Sequence, residues 1–329
     1  MYEKIAKGLR KEFFRKIEDM SGGKMAGILS MIKSIYSHRL GDKAFERECD
    51  KIISRLKSEF FVASVVIKKF GFASKRNVAV FITMTKDDDG PHGGSVIKFN
   101  ANNFIMKKSN FTWIDHGTPI MISEHAIYRM FNRSEIYNDH RDIISKIDEI
   151  LIKSIMLIPF VENFEIFNLP VMCPIEGGVL LGLTVPFNLK TTDGCVKIQN
   201  GTAEFFDSKN TLKTSVLSSV GRENNDFEFG INYRTFISGN EVSEGQSEIC
   251  RNINSVFLKY EKVVIKVATS ILFQSDDGLI MNFTDQEISD ANLFADDMRQ
   301  IINNVDTWRK THAPNGVGIY TIDDIYDSM

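Results

Sequence analysis

His125, Arg129 and Arg133 recur at four-residue intervals, with Tyr128 between the first two. On a helix this spacing puts three nitrogen-rich side chains on roughly one face. An imidazole at a helix N-terminus meets the positive end of the macrodipole, and Arg129 adds a second positive charge. Both favour the neutral ring, which is the form that accepts a proton. Arg129 and Arg133, one and two turns along, are then spaced to hold a phosphate and stabilise charge developing on it. Tyr128 adds a phenol near the same face. In principle the set suffices for metal-independent cleavage of RNA, with a base activating the 2′-hydroxyl and cations stabilising the pentacovalent phosphorane. The same side chains suit a structural role first, bonding carbonyls and acidic neighbours, and a non-catalytic phosphate contact next.

Positioning these residues requires a strand over 119–122 that runs directly into a helix capped by Ser123, with Ala126, Met130 and Phe131 turned to a core. Around this joint the periodicity divides the chain. Residues 2–58 read as helices. Ile5, Leu9, Phe13 and Ile17 form one stripe, Gly22-Gly23 breaks it, a second stripe runs over 25–35, and a third helix covers 42–58. Strands follow at 60–68, 78–85, 95–100 and 110–114, separated by turn signals that include residues 86–91 and Asp115-His116-Gly117. The aspartates at 87–89 lack the spaced ligands of a calcium loop and read as a hairpin turn. Beyond the motif, a helix is expected over 140–154. A second β region over 155–236 has a turn at Glu176-Gly177 and hairpin signals at Asp193-Gly194 and Asn200-Gly201. The last third reads as one long helix over 247–273 and another opened by a capping box, Thr284 to Glu287, that runs to about residue 311.

The other histidines are poor partners for His125. His116 falls in a turn at the far end of the strand, about 20 Å away; His140 reads as exposed in a polar first turn; and His92 and His312 read as loop residues. Cys49, Cys173, Cys195 and Cys250 are scattered without metal-ligand spacing and read as reduced thiols. No metal or cofactor is expected.

The length of 329 residues and 43% apolar content suit a globular protein of two or three domains. Charge is two-ended: residues 1–76 carry 18 Lys+Arg against 9 Asp+Glu, and the remainder 22 against 34. A basic N-terminal lobe can dock nucleic acid through phosphates or neutralise the acidic remainder of its own chain. The first twenty residues are too charged for a secretory signal, and the most apolar late stretch, 263–273, is interrupted by Lys266 and far shorter than the roughly 20 residues a span needs. A cytoplasmic protein without membrane partners is expected.

The string from Ser123 to Arg133, Ser-Glu-His-Ala-Ile-Tyr-Arg-Met-Phe-Asn-Arg, resembles the His-Ala-x-x-Arg-(Met/Leu)-x-x-Arg helix of RelE-like and barnase/colicin-type ribonuclease toxins. The resemblance covers eleven residues, in a chain much longer than a small toxin. It implies a metal-independent ribonuclease toxin or phage-defence effector, with His125 as base and the arginines on phosphate. A non-catalytic adaptor for nucleic acid or protein, or a subunit held in a larger assembly or homo-oligomer by the C-terminal helices, is the alternative. The expected fold is α+β: a basic helical lobe (1–58), an antiparallel sheet with the motif helix (59–154), a second β region (155–240) and a C-terminal helical pair with its tail (241–329).

Overall fold

The computed structural model describes residues 2–18, 42–59, 62–66, 71–72, 75–91, 93–107, 111–162, 166–167, 169–186, 189–199, 202–207, 212–213, 220–224, 229–273, 283–312 and 320–321. The stripe predicted over 25–35 and His92 lie outside these residues. Helix α1 (Tyr2–Glu18) forms as its apolar spacing requires, although the buried face is Ala6, Phe13, Phe14 and Ile17, and Ile5 is exposed. Helix α2 (Asp42–Ser58) matches the predicted third helix.

Strands β1 (Val62–Val66), β2 (Gly71–Phe72), β3 (Lys75–Asp87), β4 (Val96–Lys107) and β5 (Phe111–Ser123) follow in antiparallel pairs. The aspartates after β3 form the β3–β4 hairpin connection, where Asp89 donates its backbone N–H to Asp87 and Gly93 and Gly94 take positive φ. Asp115-His116-Gly117, expected as a turn, lies inside β5. There the backbone pairs on both sides, with Ala101 and Asn102 on one and Thr191 and Thr192 on the other. Paired donors and acceptors on both edges outweigh the local turn preference.

Helices α3 (Glu124–Arg133) and α4 (His140–Glu162) come next, α4 running through residues 155–160, expected to open the second β region, then β6 (Ile166–Phe167), β7 (Pro170–Ile175), β8 (Gly178–Pro186), β9 (Leu189–Gln199), β10 (Thr202–Asp207), β11 (Leu212–Lys213), β12 (Val220–Asn224) and β13 (Phe229–Ser238). The turn at Glu176-Gly177 connects β7 and β8, with Gly177 at φ 84°. Asp193-Gly194 is not a hairpin but part of β9. The β9–β10 pairing is antiparallel, and its connecting residues Asn200 and Gly201 lie outside the described ones. The sheet order is β1-β3-β4-β5-β13-β8-β7, with β9 beside the first half of β5. Its described pairs are antiparallel apart from β13 on β5, which is parallel over Ile120 to Ile122.

The last third is helical, as expected, with different bounds. In place of one helix over 247–273 there are α5 (Glu244–Lys259) and α6 (Glu261–Phe273), parted at Tyr260. The break turns the Tyr260 ring against Phe294, centroids 6.1 Å apart, and lets its hydroxyl donate to Asp297. Both Tyr260 partners lie on α7 (Asp285–His312), whose start carries the predicted box: Thr284 N–H bonds Glu287 at 2.8 Å and Glu287 N–H returns to Thr284 at 3.2 Å. His312 thus ends a helix. The protein is α+β, and one buried apolar cluster runs from Ala6 of α1 through Ile120, Met130, Ile147 and Tyr233 to Met298 of α7. Among the described residues no helix is long and apolar enough to cross a membrane.

Candidate functional site

Helix α3 is fixed at both ends. Ser123 sits in extended backbone and its Oγ accepts from Ala126 N–H at 3.1 Å, the predicted cap. The same hydroxyl donates to the Arg234 carbonyl of β13 at 3.0 Å, and Glu124 N–H bonds the Ser95 carbonyl at 2.9 Å. At the other end Ser134 N–H closes on Met130. Ala126, Ile127, Met130 and Phe131 are buried, so the opposite face of the helix stands free for His125.

His125 is exposed, and Arg129 donates its Nε–H to His125 Nε2 at 3.2 Å. A nitrogen that accepts a hydrogen bond carries its lone pair there, so the arginine occupies the electron pair a general base would use. Tyr128 lies alongside, ring centroids 6.3 Å apart from His125. Arg133 goes elsewhere: its guanidinium bonds Glu241 at 2.5 Å, at the end of the short 3-10 turn Gly239–Glu241. The four predicted residues therefore form a surface group of three, His125, Tyr128 and Arg129, and a separate ion pair.

Helix α1 completes that surface group. It packs on α3 and sets the Arg10 guanidinium 5.8 Å over the Tyr128 ring, within cation–π range. Arg10 Nε is also 3.3 Å from Glu124, an ion pair without hydrogen-bond alignment. Lys7 lies within electrostatic reach of both Tyr128 and Arg10, and Lys4, Lys7 and Lys11 share one exposed face of α1. Spacing within α1 predicts that face; its adjacency to the motif helix is tertiary and has no local signal.

His140 departs most from expectation. It is 6% exposed, with Nε2 at 2.9 Å from the Leu9 carbonyl and Nδ1 at 3.2 Å from Lys16 Nζ, and its ring lies 5.8 Å from both Phe13 and Phe131. It clamps α1 to α4. His116 keeps its place on β5, seven residues before the cap.

A second feature escaped the sequence reading. Between the end of α3, the β7–β8 turn, the turn at Gly239 and one face of α5 lies a cleft of 470 Å³. Arg133 and Arg251 line it from two sides, and Ser247, Cys250, Arg251 and Asn254 recur at helical spacing along its α5 wall. Asn254 Oδ1 accepts from Lys153 at 2.8 Å, and this nearly buried ammonium also bonds Glu149 at 2.7 Å and the Pro174 carbonyl at 2.6 Å. The signal available was Arg251 one turn after Ser247 on an amphipathic helix, which without its partners reads as ordinary surface.

Among the described residues no three of histidine, cysteine, aspartate or glutamate gather closely enough to hold a metal ion. No family model, no curated protein and no solved structure matches the chain.

Proposed function

We propose that the protein binds single-stranded nucleic acid, RNA in the first instance, across the joined surface of α1 and α3. The observation that carries this reading is the seating of Arg10 on Tyr128, which puts Lys7 of α1 within electrostatic reach of the ring that lies alongside His125. Lysines and arginines around a half-buried aromatic such as Tyr128 are a combination that can track a phosphate backbone and contact a base. Several cations of α1 are balanced within the chain, Lys7 by Glu3 and Lys16 by Glu12. Those exposed pairs are weak and yield readily to phosphate.

Cleavage is the second reading, and the Arg129–His125 bond favours it in one respect. A phosphate that captures the Arg129 guanidinium releases the Nε2 lone pair, so ligand and base would become available together. The toxin or defence role implied by the motif rests on this step.

Fluorescence anisotropy with a labelled oligoribonucleotide, read across a salt series, tests binding. The expected result is affinity falling linearly on logarithmic axes, with the Lys4→Ala, Lys7→Ala, Lys11→Ala variant losing affinity and about 0.7 of slope per phosphate contact removed. Absence of binding, or binding indifferent to salt, overturns the reading. Incubating the same RNA in EDTA separates the two alternatives: cleavage abolished by His125→Ala, with binding retained, makes the protein a ribonuclease, and intact RNA leaves it a binder.

A further inference from the structure

We propose that the cleft between the end of α3 and α5 is a binding site for a phosphate monoester, either free or at the end of an RNA strand. Its lining is unbalanced toward donors. Arg133 spends one N–H on Glu241 and keeps the others of its five, and Arg251 is exposed, with no described hydrogen-bond or ion-pair partner. Asn254 gives its oxygen to Lys153, which fixes the amide so that its NH2 is the group left to offer. Ser238, Asn240 and Ser247 add further polar residues to the lining. Against these stand Glu135 in the lining and Glu241 on Arg133.

A ligand that fits this set must accept many hydrogen bonds and donate few. A phosphate monoester does so, with three acceptor oxygens and close to two negative charges, and two guanidiniums offer it bidentate geometry. Glu135 can take a hydroxyl of the esterified alcohol. Ile136, Pro174, Val179 and Val242 supply apolar wall for the remainder of the molecule. A volume of 470 Å³ lies within the ~300–1,000 Å³ range of small-molecule sites. At the rim, Gly177 takes the positive φ of the β7–β8 turn and lets Ile136 pack close, and the space beside Gly239 is open, with the Gly177 carbonyl 3.8 Å from where a Cβ would stand.

Titration calorimetry on the full chain tests the site with four probes: 5′-AMP, adenosine, and an RNA tetranucleotide with and without a 5′-phosphate. The expected result is saturable one-to-one binding that requires the phosphate and weakens at least about tenfold in Arg251→Gln, the loss of one charge-assisted hydrogen bond. Binding of 5′-AMP identifies a free ester; binding of the phosphorylated tetranucleotide alone identifies a strand end. Failure of both phosphorylated probes, equal binding of adenosine, or an Arg251→Gln protein that binds like the parent overturns the proposal. The inference stands apart from the lysine surface of α1, on which the triple-lysine variant reports.

Discussion

Cys173 is fully buried on β7, and burial pushes its thiol from the ordinary 9.0 up to about 12. Nearby Lys153 and hydrogen bonds from Tyr233 and Ser154 act in the opposite sense and do not offset the loss of solvent. An unfolded chain sheds this proton near pH 9, whereas the folded one holds it to about pH 12. Stability is therefore complete below pH 9 and drains away as pH climbs toward 12. Cys173→Ala should flatten the decline in urea midpoint between pH 9 and 11. Tyr233 and Tyr137, both raised by burial, sustain the remainder. Identical pH slopes in parent and variant would refute the assignment. At this scale the exposed His125 was readable from its place on an amphipathic helix. The buried His140 was not, because its enclosure depends on a carbonyl 131 residues earlier and on rings from two other elements.

Helix ends were the most legible elements. Ser123 and Thr284 announced the starts of α3 and α7 through side chains that satisfy orphan N–H groups. The same chemistry at Ser243, whose box closes on Gln246, was present in the sequence and would have started α5 three residues earlier. Asp115-His116-Gly117 misled in the other direction, because strand partners on both sides are invisible to a local window. Ser123 also has a task no cap signal encodes, its bond to Arg234. Ser123→Ala should accordingly cost more than an ordinary cap, roughly 2 kcal/mol from the two bonds together. Chemical denaturation measures this, and a loss under about 0.5 kcal/mol would mean that neither bond contributes to stability. Ser123→Thr, which keeps both the donor and the acceptor, should restore most of it.

Across the molecule, the two-ended charge was readable by counting, and the joining of its basic end to the core was not. Phe13 of α1 is wholly buried, 6.3 Å from Phe131 and 5.8 Å from His140, within the same apolar cluster as Phe294 of α7. Phe13→Ala should remove about 3–5 kcal/mol, and it should shift the unfolding transition that Phe294→Ala also shifts. Two separable transitions, each answering to one phenylalanine, would show that α1 and α7 stabilise different units.

The ties on α3 also set a schedule. Ser123 waits for Arg234, Arg133 for Glu241, and the end of β5 for its parallel neighbour β13. Each closes a loop of more than a hundred residues, so these contacts are late and slow to form. At ~5–20 residues per second of synthesis, roughly 5–20 s separate the making of α3 from the making of the segment that orients it. During that interval His125 and Arg129 stand on a helix whose leading strand β5 has not yet met β13, and the cleft lacks its α5 wall. The cleft thus belongs to the finished chain, and a nascent fragment ending before β13 lacks both it and the Arg234 tie that orients α3.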